Sequence, residues 1–132
     1  MEQAPQMTEA GGDDAVCEVA ITATDANWLR SFTRALVLDH VAARCHNFQV
    51  VHTTFMDGDE VQEDQEARVH LHTRRSLVEH IAQLVTGAGR SALPCVLALP
   101  VCGGDSAYLA WVLEQTAAPT LRRPPAAGRA AD

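Results

Sequence analysis

Between Pro94 and Pro100 the chain carries Cys95-Val96-Leu97-Ala98-Leu99, an apolar run of strand length and too short for a stable helix. It reads as a buried final strand. Val101-Cys102-Gly103-Gly104-Asp105 then supplies a turn. Asp105 or Ser106 can cap a short helix that projects Tyr108, Leu109 and Trp111. A chain that ends in this way needs a sheet for the strand to join and a surface for the helix to lie on.

The preceding residues supply the sheet. Residues 17–24 alternate as a first strand, with Cys17, Val19 and Ile21 on one face. Asp25 is a good N-cap, and Trp28, Leu29, Phe32, Leu36 and Val37 recur at helical intervals, which predicts an amphipathic helix up to about Arg44. Residues 48–56 are rich in Val, Thr and Phe and run into Asp57-Gly58, a hairpin signal. The acidic residues from Asp59 to Glu66 read as a solvated turn without the alternating ligands of a calcium loop. Arg68-Val69-His70-Leu71-His72 then alternates as a third strand. Thr73-Arg74-Arg75-Ser76 opens a second helix over residues 77–86, whose stripe is Leu77, Val78, Ile81 and Leu84 or Val85, and Gly87-Ala88-Gly89 stops it. His80 falls on its wet side.

The order strand, helix, strand, strand, helix, strand, with a short terminal helix, is the split βαβ pattern of an α+β, ferredoxin-like sandwich. Its sheet is antiparallel, with both long helices on one face. The other face carries Arg68, His70 and His72 and is expected to be uncovered until a second subunit meets it. With 132 residues, 47% of them hydrophobic, the chain makes one globular domain, over residues 15–117. Residues 1–14 and 118–132 have the composition of flexible tails.

Charge narrows the partners. A net charge of −7 disfavours nucleic-acid backbones and suits attraction of cations. All ten basic side chains are arginine, so there is no lysine to form a Schiff base. The polar, acidic start and the absence of an apolar span point away from a membrane and towards the cytoplasm. There Cys17, Cys45, Cys95 and Cys102 are expected to be thiols.

Ala98-Leu99-Pro100-Val101, followed by Gly104-Asp105-x-x-Tyr108-Leu109-x-Trp111, resembles the C-terminal signature of the CutA divalent-cation tolerance family. Thr22-Ala23-x-Asp25 and Thr73-Arg74-Arg75-x-Leu77-Val78 also match, so the likeness runs from about Cys17 to Ala117. The resemblance implies a homotrimer of ferredoxin-like domains with clefts between subunits, and a role in tolerance of metal ions.

The sequence departs from the family where the family keeps its polar cleft. At Ala42-Ala43-Arg44-Cys45-His46-Asn47 either Arg44 takes the family's cysteine position or Cys45 does after a one-residue insertion, and the Pro-Gly bulge that follows in the family is missing. The family's Ser-x-Tyr-x-Trp-x-Gly becomes His52-Thr53-Thr54-Phe55-Met56-Asp57-Gly58. Its lysine falls at His72, and its His-Pro-Tyr-x-x-Pro-Glu becomes Gly89-Arg90-Ser91-Ala92-Leu93-Pro94-Cys95.

Two chemistries follow. Imidazole and thiolate suit copper or zinc, and His70 with His72 on one strand face, joined by Cys45 or His46 across the hairpin, form the candidate metal set. The alternative is a family scaffold refitted as a small-molecule-binding or acid–base catalytic protein. In it His52, His72 and Cys95 titrate nearer neutrality than the groups they replace, and Arg90 anchors an anion. A regulatory module closing on a metabolite is a third class, disfavoured by the lack of a phosphate-cradling loop. Organic cofactors are not indicated. Trp28 and Trp111 read as packing or interface anchors.

Overall fold

The computed structural model describes residues 15–91 and 93–118. The expected tails at 1–14 and beyond 118 lie outside the described residues. Strand β1 (Val16–Ala23) is followed by helix α1 (Ala26–Leu38), strands β2 (Arg44–Asp57) and β3 (Glu60–Arg74), helix α2 (Val78–Gly87), strand β4 (Cys95–Pro100) and helix α3 (Ser106–Gln115). The sheet order is β2-β3-β1-β4, with every neighbouring pair antiparallel. This is the ferredoxin-like α+β architecture.

Alternation sorts the two faces. Val19, Ile21, Val69 and Leu71 are fully buried with Leu29 and Leu36 of α1 and Ile81 and Val85 of α2. Val69 and Leu71 therefore point at the helices, and Arg68, His70 and His72 lie on the other face. In α2 it is Val85, not Leu84, that completes the stripe.

Helix α1 begins as expected, Asp25 accepting from the Trp28 amide at 3.0 Å. It ends at Leu38, six residues before Arg44. The stop is a Schellman cap: the Val41 amide bonds the Leu36 carbonyl and the His40 amide bonds that of Val37. The left-handed position of such a cap usually takes glycine; here it is His40, at φ 60°. Its ring Nδ1–H donates to the Gln115 carbonyl at 3.0 Å. Leu36 and Val41, the two ends of the cap, are both buried in the core.

The hairpin also differs from expectation. Asp57 pairs with Glu60, so the turn is only Gly58-Asp59, with Gly58 at φ 64°. Residues 60–66 are strand, not a solvated turn, because each pairs across to β2. The register shifts between Phe48 and Val51, a bulge formed without Pro-Gly. β1 pairs only with residues 67–74 of β3, so the hairpin beyond that point is a two-stranded arm. It exposes Val50, Phe55, Met56 and Val61. Thr73 and Arg74 belong to β3, and a single 3-10 turn at Arg75–Leu77 precedes α2.

Among the described residues β4 is an edge strand bonded to β1 alone, not a buried one, and Leu97 and Leu99 are 58% and 51% exposed. The open face is not wholly bare either. Helix α3, capped by Asp105 accepting from the Tyr108 amide, folds back over β1 and β3. Arg74, on the open face, donates to the Leu113 carbonyl and the Thr116 hydroxyl at the C-terminal end of that helix. A cation there also complements the helix dipole. Val112, one turn beyond Tyr108, is fully buried.

Leu71→Ala should lower the unfolding free energy by about 2–5 kcal/mol, read by urea titration, while Leu84→Ala should cost less than about 1 kcal/mol. Burial raises the Cys17 thiol above its ordinary range and pushes Cys45 up to about 12. A thiol reagent at about pH 8 should therefore modify Cys95 and Cys102 in the folded chain and reach Cys17 and Cys45 only after denaturation, as counted by mass spectrometry.

Candidate functional site

Polar side chains collect in two places. The first is the open face under α3. Because β1 and β3 pair with Glu18 opposite His72 and Ala20 opposite His70, Glu18 lies between two imidazoles. His72 Nε2 is 2.9 Å from Glu18 Oε1, and His70 Nδ1 is 3.9 Å from Glu18 Oε2. A carboxylate can only accept, so His72 Nε2 carries a proton. The Tyr108 hydroxyl, held protonated by burial, donates to Nδ1 of the same ring.

Arg68 donates to His70 Nε2 at 2.9 Å and to the Thr22 hydroxyl at 2.8 Å. The His70 proton therefore sits on Nδ1, on the side of Glu18. Across the hairpin His46 stands opposite His70, and its ring meets His72 edge-on, 5.8 Å between centroids. Phe48 packs on His70 in the same way at 5.1 Å, and Trp111 lies 5.7 Å beyond Tyr108.

Of the candidate metal set, His46, His70 and His72 share this face and Cys45 does not. Cys45 pairs with Leu71, so alternation turns its thiol to the helix side, where it packs against the core. Adjacent strand residues cannot both reach one ion from opposite faces. His70 and His72 have their lone-pair nitrogens bonded to Arg68 and Tyr108, whereas His46 has no hydrogen bond or ion pair among the described residues. No group of three or more His, Cys, Asp or Glu among the described residues is placed to hold an ion within one chain.

The second place is a pocket of about 160 Å³ at the far end of the sheet, between the β1–α1 turn and the segment that leads into β4. Asp25, Trp28, Glu66, Arg90 and Cys95 line it. Arg90 reaches Asp25 at 2.5 Å and lies over the Trp28 ring. The bond from the Trp28 amide, with Arg90 beside it, holds the Asp25 carboxyl below its usual range.

Of the four residues in the catalytic alternative, only Arg90 and Cys95 meet here. His72 pairs with Glu18 and Cys95 with Thr22, about 13 Å apart along β1. His52 stands exposed on the arm opposite Gln65. No base, nucleophile and anion anchor converge within one chain among the described residues.

Three partners escaped the sequence reading. Glu18 follows from strand parity once β1 is known to lie beside β3. In sequence Asp25 reads as a cap and Trp28 as a packing or interface residue; in the structure both also form a pocket wall. Arg90 lies 65 residues from Asp25, and no local pattern links them.

Comparison with known proteins fits this fold. Residues 17–115 match the family model described as CutA1 divalent ion tolerance protein. A curated relative, the chloroplastic protein CutA of Arabidopsis thaliana, is 26% identical over 98 residues, covering 74% of this chain. The chain spans about half of that relative, 54% of its length. Among solved structures, the divalent cation tolerance protein of Thermus thermophilus is 26% identical at a TM-score of 0.73, covering 77% of this chain and 99% of that one. The periplasmic divalent cation tolerance protein CutA of Archaeoglobus fulgidus is 20% identical at a TM-score of 0.73, over 77% and 99% of the two chains. These names correct the cytoplasmic expectation, since one relative is chloroplastic and another periplasmic. With three quarters of its length matched by the family model and the sheet order and helix placement of that fold, the chain belongs to the CutA1 divalent ion tolerance family.

Proposed function

We propose that the protein acts in tolerance of divalent or soft metal ions as a homotrimer, binding copper or zinc through the imidazoles of its open sheet face. One observation carries the reading: His46, His70 and His72 lie on a single face with the Glu18 carboxylate among them. Nitrogen donors with a carboxylate orienting them suit copper(II) and zinc. His46, with no competing bond, takes the ion first. His70 or His72 joins by exchanging its bond from Arg68 or Tyr108.

Because the described residues of one chain do not supply a full donor set, the shell is completed by another copy. Self-association is supported by the exposed apolar side chains Leu97, Leu99, Phe48, Val50 and Met56, which a soluble monomer would leave in water. Cys45 is outside this site for the geometric reason above. The catalytic alternative has weaker support, because His52, His72 and the Arg90–Cys95 pair lie apart.

Metal analysis of the full chain purified without chelator should find copper or zinc. His46→Ala should weaken binding by at least about tenfold, and Glu18→Gln, which removes the carboxylate orienting His72, by about tenfold. Occupancy unchanged in a His46→Ala, His70→Ala, His72→Ala variant would remove the reading. Light scattering at micromolar concentration should give the mass of three copies; a monomer would refute a shared shell.

A further inference from the structure

The end pocket already contains a recognised cation. Arg90 Cζ lies 5.4 Å from the centroid of the Trp28 ring, and its Nη2 is 2.5 Å from Asp25 Oδ2. A guanidinium seated on an aromatic face against a carboxylate is how proteins bind organic cations. This one belongs to the chain itself, on the segment between α2 and β4. Both partners are nearly half exposed, at 44% and 46%, so the pair is weak and exchangeable.

The rest of the lining is acidic and polar. Glu66 forms part of the wall with no ion-pair partner among the described residues, and Thr24 and Ser91 are also among the lining residues. Arg68 approaches Thr22 from the open face, where its other bond is to His70. Among the described residues, two acidic residues and one arginine therefore line the cavity, in a chain of net charge −7. An anion would have to displace Asp25 from Arg90 and then face Glu66; a cation gains from both carboxylates.

We infer that this pocket binds a small organic cation of the guanidinium or primary alkylammonium class. Trp28 supplies the face, and Asp25 and Glu66 supply the counter-charge. Arg90 is an intramolecular occupant that the ligand displaces. The pocket holds about 160 Å³ with Arg90 in place, and displacing Arg90 adds to the room for a head group of that size. The site is separate from the open-face imidazoles, and its test does not depend on them.

The test uses the full chain carrying Trp111→Phe, so that Trp28 is the one tryptophan reporting by fluorescence. Methylguanidinium and n-butylammonium chloride are titrated at constant ionic strength, with sodium acetate as the anion arm. Saturable change is expected for the two cations and none for acetate. Arg90→Ala should tighten cation binding roughly fivefold by removing the competitor. Asp25→Asn, which keeps a good N-cap, and Glu66→Gln should each weaken it by about fivefold. The inference is overturned if neither parent nor Arg90→Ala responds to the cations, if Glu66→Gln binds as the parent does, or if acetate alone saturates.

Discussion

The antiparallel ladder between β1 and β3 settles both sides of the sheet at once. Val19 stands opposite Leu71 and Ile21 opposite Val69, and their side chains form the centre of the core. The same pairs place Glu18 beside His72 and Thr22 beside Arg68 on the other face. A slip of β3 by one residue would turn its side chains over, exchanging buried Val69 and Leu71 for Arg68, His70 and His72. The cost of burying those groups is what holds the register, and the polar network on the open face follows from it.

Helix α3 decides how that network meets solvent. Its C-terminal carbonyls accept from Arg74 and from His40, and its N-terminal turn presents Tyr108 to His72. These are ordinary bonds, worth about 1 kcal/mol each in net terms. Because they join α3 to β3 at two points and to the cap of α1, they act as one docking surface. His72 is left 17% exposed under the helix. The β4 edge and the hairpin arm expose apolar side chains, among them Leu97, Leu99, Val50 and Met56.

How much was legible depended on the range of the physics. Period-two alternation in residues 67–72 predicts the faces of β3, and Asp25 and Asp105 predict two helix starts, because parity and capping are local. Periodicity runs past the end of α1 because its left-handed cap residue is His40, where a glycine would signal the stop. The acidic run reads as a turn because charge suggests solvent, yet a two-stranded arm has solvent on both sides and accepts acidic residues. β4 looked buried for the opposite reason: its composition is that of a core strand, and edge position is a property of the sheet.

The same division holds for the site. Cys45 and His46 are neighbours that together resemble a ligand pair, and only the pairing of β2 with β3 sends one to the core and the other to the open face. The sequence by itself determined the family, the order of elements and which β3 residues are polar, since these rest on spacing within a few residues. The tertiary structure alone decided that Glu18 sits between two imidazoles, that α3 covers them, and that Arg90 reaches Asp25 across 65 residues. Those contacts join segments far apart in the chain, and they exist only once burial of the shared core has brought the segments together.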